Sequence, residues 1–88
     1  MRNTRLFINK QIKFIYTKIA DLKAYDPHRT SDQARAIAQC GITRCYVLID
    51  FTEAAELDGI ITEAEKIGAF HKVQEAHNEL VKLQNNII

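Results

Sequence analysis

The residues with the clearest chemical potential are two cysteines, Cys40 and Cys45, and three histidines, His28, His71 and His77. Thiolates and imidazoles are the usual ligands of a zinc site. On a helix, however, a separation of five residues places the two cysteines about 140° apart, so they do not share a metal from one face. A Cys₂His site would have to recruit His28 or His77 from elsewhere. Buried cysteines acting as small hydrophobic residues are commoner, and we predict no metal site.

Catalytic motifs are absent from the sequence. It has no glycine-rich phosphate loop, no His-Glu-x-x-His, no Cys-x-x-Cys and no nucleophile elbow. His77 falls on the apolar face of a predicted helix, where a core-edge histidine bonded across the bundle is commoner than a general base. Carboxylates cluster around a predicted turn, where a solvated loop and helix caps explain them: Glu53, Glu56, Asp58, Glu63 and Glu65. We expect no enzyme and no cofactor.

Positive charge is concentrated in the first third of the chain. Residues 1–29 carry seven basic and two acidic side chains, a net charge of +5, whereas residues 30–88 carry five basic and nine acidic ones, a net charge of −4. Such asymmetry marks either an anion-binding arm or a basic helix that packs on an acidic helix, and we favour the second. If a nucleic acid is bound, the candidate residues are Arg2, Arg5, Lys10, Lys13, Lys23 and Arg29.

The first of three predicted helices covers about residues 4–24. Its branched apolar residues recur at spacings of four and three, which is typical of a coiled-coil seam: Ile8, Ile12, Ile15, Ile19 and Leu22. Phe7 and Phe14 lie about 100° from that seam, bordered by Lys10 and Lys18. These four side chains are either the edge of the core or an aromatic and basic ridge, and they are our candidate partner-binding residues.

A long central helix is predicted over residues 31–58, beginning at a capping box of Thr30 and Gln33. One narrow stripe of it is polar: Arg35, Gln39, Thr43, Tyr46, Asp50 and Glu53. Since the other positions are apolar or small, they must be covered by the flanking segments or by another chain. The alternative is that Gly41 ends the helix and residues 44–51 form a strand in an α+β fold. We favour the helix, because the polar stripe continues across Gly41.

The third predicted helix, about residues 63–84, follows a turn at Asp58-Gly59 and a second capping box at Thr62 and Glu65. Its expected core face is Ile67, Phe70, Val73, His77, Leu80 and Val81, with Ala69 and Ala76 beside them. The short connection makes the second and third helices antiparallel. The segment Gly59-Ile60-Ile61-Thr62-Glu63-Ala64-Glu65 resembles the turn of SHOCT-type helical-hairpin modules. That resemblance implies local hairpin geometry and no function.

These elements predict an all-α fold with three antiparallel helices in a single domain over residues 1–88. No apolar run reaches 18 residues, so we predict no transmembrane helix. The apolar run Leu6-Phe7-Ile8 is too short for a signal-peptide core, and we expect a cytoplasmic protein with reduced thiols.

The function we expect is a non-enzymatic helical interaction module. Its surplus apolar surface would meet another protein or a second copy of the chain, as in a homo-oligomer. Small size, a helix-rich build and the lack of a catalytic motif resemble accessory proteins of phages and mobile elements. That resemblance implies an inhibitor or adaptor that binds a host protein. The alternative is a nucleic-acid-binding or regulatory protein using the basic first helix, and membrane binding is not expected.

Overall fold

The computed structural model describes residues 3–24 and 31–87 and contains three helices in these ranges. They are α1 (Thr4–Lys23), α2 (Ser31–Leu57) and α3 (Glu63–Asn85). Each predicted boundary lies within one residue of the observed one. No strand occurs in the described ranges, so the all-α prediction is confirmed and the alternative strand near residues 44–51 is wrong.

The isoleucine seam holds α1 against the other two helices. All five predicted seam residues, from Ile8 to Leu22, are buried. Asn3 caps the helix, because its side-chain oxygen accepts a hydrogen bond from the Leu6 amide at 3.0 Å. Isoleucine is only an average helix former, so packing rather than intrinsic propensity stabilises this helix.

In α2 the helix runs through Gly41 without a break. A Cβ atom at this position would lie 2.9 Å and 3.0 Å from the two methyl groups of Leu80 and 3.5 Å from the Cβ of Lys18. Both α1 and α3 therefore pack closely on this turn. That close contact accounts for a glycine that costs about 1 kcal/mol relative to alanine in a helix interior. The predicted cap at Thr30 lies outside the described residues.

The connection between α2 and α3 follows its sequence prediction. Gly59 has a φ of 73°, its amide donates to the Glu56 carbonyl at 3.0 Å, and the Ile60 amide donates to the Ala55 carbonyl at 2.9 Å. This pattern is a Schellman motif. The capping box is also confirmed, with Glu65 N–H donating to the Thr62 hydroxyl at 3.1 Å and Thr62 N–H donating to the Glu65 carboxylate at 3.0 Å.

The contacts between helices define their directions. Phe7 lies against Phe51 and Phe14 against Arg44, so α1 and α2 are antiparallel. Along α2 and α3, Tyr46 meets His77 in the same antiparallel sense. The chain measures 47 × 23 × 15 Å, with a radius of gyration of 14.4 Å. A compact domain of this length would have a radius of about 12 Å, so the three helices form an elongated, thin body.

The core face of α3 differs from the prediction. Its buried residues are Ala69, Val73, Ala76 and Leu80, whereas Ile67 is 46% exposed. Phe70, His77 and Val81 are only half-buried. The core stripe is therefore centred on the two alanines, whose small side chains allow α3 to approach its neighbours closely. The prediction that Ile67 lies in the core is wrong.

Candidate interaction face

Four large apolar side chains remain exposed where α1 and α2 lie side by side. Leu6 is 49%, Phe7 44%, Val47 52% and Phe51 38% exposed. The rings of Phe7 and Phe51 contact each other with their centroids 4.7 Å apart. We call this set, Leu6, Phe7, Val47 and Phe51, the α1/α2 face. It is an exposed apolar surface that the three helices leave uncovered.

The helical repeat explains why these residues meet. Val47 and Phe51 are four residues apart and lie one above the other on α2. Phe7 is turned about 100° from the next residue, the buried Ile8, and so reaches the edge of α1 that faces α2. An open groove of about 480 Å³ lies between Phe7 and Phe51, and Leu6 and Lys10 also line it.

The predicted aromatic and basic ridge divides into two parts. Phe7 and Lys10 lie at the exposed groove, whereas Phe14 is half-buried. The Nζ of Lys18 lies 5.0 Å from the Phe14 ring centroid and the Cζ of Arg44 lies 5.1 Å from it. Both distances suit cation–π contacts, so these two cations shield the ring from solvent. Of the two proposed anchors, Phe7 is the more accessible.

The basic residues of α1 also fall into separate groups. Arg5 forms a bidentate ion pair with Glu65, one of its two hydrogen bonds measuring 2.9 Å, and Lys23 lies 3.4 Å from Glu79. Arg2 and Arg29 lie outside the described residues. Lys10 and Lys13 are exposed and have no ion pair with any described residue. Two basic residues of α1 thus pair with carboxylates of α3, which agrees with the interpretation favoured from the sequence.

The Arg5–Glu65 pair changes the proton affinity of both groups. The Arg5 guanidinium, followed by the Thr62 amide, lowers the pKa of the Glu65 carboxyl to about 2. The same pair raises the pKa of Arg5 above its ordinary value. Beneath the pair lies a groove of about 230 Å³ between α1 and α3, smaller than the usual range for ligand pockets. This side of α1 is therefore better explained by helix packing than by ligand binding.

Chemically reactive side chains are scattered rather than grouped. Burial raises the pKa of the Cys45 thiol to about 11, which keeps it protonated and unreactive near neutral pH, and Cys40 is exposed on the opposite part of the helix. Nε2 of His77 lies 3.3 Å from the Tyr46 hydroxyl across the α2/α3 contact. Thr52 has a fully buried hydroxyl without a hydrogen-bond partner among the described residues. Within residues 3–24 and 31–87, no three His, Cys, Asp or Glu side chains are placed to hold a metal ion.

Among the helices described here, none combines the length and the apolar character required to cross a bilayer. Comparisons with protein-family models, with curated proteins and with solved structures found no match.

The sequence predicts Phe7 and Lys10 as candidate residues but not Leu6, Val47 and Phe51. It predicts that the apolar positions of α2 are covered by the flanking segments or by another chain, without indicating which of them the flanking helices leave exposed. The four-residue spacing of Val47 and Phe51 shows that they share a face. Whether a neighbouring helix covers that face depends on where α1 and α3 pack, which periodicity does not reveal.

Proposed function

We propose that the protein is a non-enzymatic interaction module that binds another protein through the α1/α2 face. The supporting observation is the contiguous set of four large apolar side chains, each more than a third exposed, with lysine at the border. Contiguous apolar patches rimmed by polar groups are typical of protein-binding surfaces, whereas isolated exposed apolar residues are ordinary.

Within this face Phe7 is the proposed anchor and Lys10 its charged border. Aromatic residues often dominate binding energy, because they place a large rigid area in contact with the partner. Phe14 and Lys18 extend the same surface along α1, with the Phe14 ring already shielded by cations. An inhibitor or adaptor acting on a host protein is the form of this function that the sequence resemblance implies. We propose that it acts in the cytoplasm with reduced thiols.

The test is affinity capture from a native lysate with three variants of the full chain. Phe7→Glu and Val47→Glu each place a carboxylate in the α1/α2 face. Ile67→Glu is the matched control, because Ile67 is similarly exposed but lies on α3, away from this face. We expect the wild type and the control to retain a protein partner after nuclease treatment, and the two face variants to lose it.

The far-ultraviolet circular dichroism of every variant should match the wild type, so that a loss of binding is not a loss of folding. If both face variants capture the same partner as the wild type, the proposed surface is wrong. If Phe7→Glu unfolds the chain while Val47→Glu binds normally, Phe7 is a core residue and the proposal also fails.

Nucleic-acid binding is the second candidate, favoured by the two unpaired cations Lys10 and Lys13 on the outer side of α1. Each phosphate contact contributes about 0.9 to the slope of log affinity against log salt. The double variant Lys10→Gln/Lys13→Gln should therefore lower that slope by about 2 and weaken binding equally for all sequences. Capture that survives nuclease and shows no salt dependence would exclude this candidate.

A further inference from the structure

We infer that the α1/α2 face is covered by a second copy of the same chain, arranged about a twofold axis parallel to the helices. This inference rests on the proposed function, since it names the occupant of the same face. It is carried by the charges at the two borders of that face. Lys10 lies at the α1 border, and Asp50 lies at the α2 border. Both side chains are exposed, and neither has an ion pair with another described residue.

The helical repeat puts these charges on the outer sides of the face. On α1, Lys10 lies about 60° from Phe7 and is turned away from α2. On α2, Asp50 lies about 100° from Phe51 and is turned away from α1. The face is therefore apolar at its centre, where Phe7 meets Phe51, with the positive charge of Lys10 at one border and the negative charge of Asp50 at the other.

A surface of this kind is complementary to itself in one orientation. A twofold axis that runs along the contact between α1 and α2 places α1 of each copy over α2 of the other, so each basic border covers an acidic border. Because Phe7 lies level with Phe51 and the two helices are antiparallel, Lys10 is about two residues, or roughly 3 Å along the axis, from the level of Asp50. A lysine side chain spans that offset. A twofold axis across the helices would instead place Lys10 against Lys10.

The centre of the face supplies the apolar part of such a contact. Phe7 and Phe51 lie near the proposed axis and would pack against the same residues of the second copy. Arg44, stacked on Phe14, also lies near the axis and would meet its own copy. Because the two Arg44 side chains would repel each other, the contact is centred away from them, at the end of the molecule nearest the turn between α2 and α3. Four helices would then pack as a bundle.

The shape of the chain agrees with this arrangement. Its shortest dimension is 15 Å, so the three helices form a thin body. Short chains bury a small fraction of their surface, and a second layer increases the apolar area removed from water. The charged borders determine which orientation is favoured, because opposite charges attract in one and like charges repel in the other.

Sedimentation equilibrium of the full chain, at low ionic strength and over a wide concentration range, tests the inference. The wild type should approach twice the chain mass of 10.1 kDa. Lys10→Glu and Asp50→Lys should each weaken the dimer roughly tenfold, because each variant creates two like-charge contacts per dimer. An equimolar mixture of the two variants should recover the wild-type affinity, since every contact in the mixed dimer again joins opposite charges.

Glu75→Lys is the matched control, because it makes the same charge change at an exposed position on α3, away from the face. It should leave the mass unchanged. A wild type that stays monomeric at all concentrations overturns the inference. A dimer that Lys10→Glu does not weaken, or a mixture that stays as weak as its components, overturns it as well.

The two proposals fail in different ways. A monomeric wild type whose protein partner is lost in Phe7→Glu and Val47→Glu overturns the second-copy inference and keeps the proposed function. A wild-type dimer that those two variants leave intact overturns the second-copy inference, whereas a captured partner that both variants retain overturns the proposed function.

Discussion

The two sides of α1 are held in different ways. On the side facing α3, the contacts are polar: Arg5 pairs with Glu65, Lys23 pairs with Glu79, and the Tyr16 hydroxyl lies 3.5 Å from the Lys72 carbonyl. On the side facing α2, the contacts are aromatic, and their apolar atoms remain partly exposed.

The difference locates the surface that remains available for binding. A paired charge at the molecular surface has its partner and is otherwise solvated, so the α3 side is complete without another molecule. Removing water from an exposed apolar ring lowers the free energy of the system. The α2 side is therefore the one that a partner would stabilise. This contrast predicts different responses to truncation of a side chain, to an added methyl group and to a change of pH.

The largest expected effect is at the aromatic side. Phe7→Ala and Phe51→Ala should each lower the free energy of unfolding by about 1–2 kcal/mol, less than for a fully buried phenylalanine because both rings are partly exposed. A double-mutant cycle should give a coupling of about 0.5–1.5 kcal/mol, the usual value for an aromatic pair in contact. Chemical denaturation at the lowest practical protein concentration measures both, since association would add stability.

Additive single effects would contradict this account, because they would mean that Phe7 and Phe51 do not contact each other in solution. The corresponding cycle for Lys23 and Glu79, an exposed pair on the α3 side, serves as the comparison. Its coupling should be smaller, since surface ion pairs contribute little.

The next largest effect is expected from alanine substitutions at two glycines within helices, Gly41 and Gly68. Gly41→Ala gains about 1 kcal/mol of helix propensity, but its Cβ would meet the fully buried Leu80 at 2.9 Å, and overpacking costs about 1–3 kcal/mol. We expect a net destabilisation of about 1 kcal/mol. Gly68→Ala, in the open groove between α1 and α3, meets nothing within 4 Å and should stabilise by about 0.5–1 kcal/mol.

Thermal or urea unfolding of the two variants would measure the difference. If Gly41→Ala stabilises the chain as much as Gly68→Ala does, then Leu80 moves aside easily and the close packing on α2 is looser than the structure indicates. Such a result would also remove the explanation for a glycine in the middle of α2.

The elements of this fold were predictable because their determinants are local. The spacing of the α1 isoleucines, the turn at Gly59 and the reciprocal bonds of Thr62 and Glu65 each depend on a few neighbouring residues. The continuity of α2 through Gly41 was predictable for a similar reason, since the polar stripe crosses it.

The covering of each helix face was less predictable. Periodicity groups residues on a face but does not identify the helix that packs there. Ile67 and Ala69 are both apolar residues of α3, but only Ala69 lies in the core, because the helices pack closely there and leave room for a small side chain. Val47 is as apolar as its buried neighbours, yet α1 and α3 both pack on other parts of α2. The exposed face therefore appears only once all three helices are placed.

The smallest expected effect is the pH response of the charged side. The pKa of Glu65 is lowered from an ordinary value of 4.5 to about 2 in the folded chain, mainly by Arg5 and then by the Thr62 amide. The unfolded state therefore binds more protons between these two values, so stability falls as the pH is lowered through that window. Glu65→Gln should flatten this part of the pH profile while keeping a side chain able to complete the capping box. Arg5→Gln should flatten it only in part, since the Thr62 amide still bonds the carboxylate.

Urea unfolding from pH 2 to pH 6 at low ionic strength measures the three profiles, with Glu63→Gln as a control in the same helical turn. Equal profiles for wild type and Glu65→Gln would show that the Arg5–Glu65 ion pair does not persist in solution.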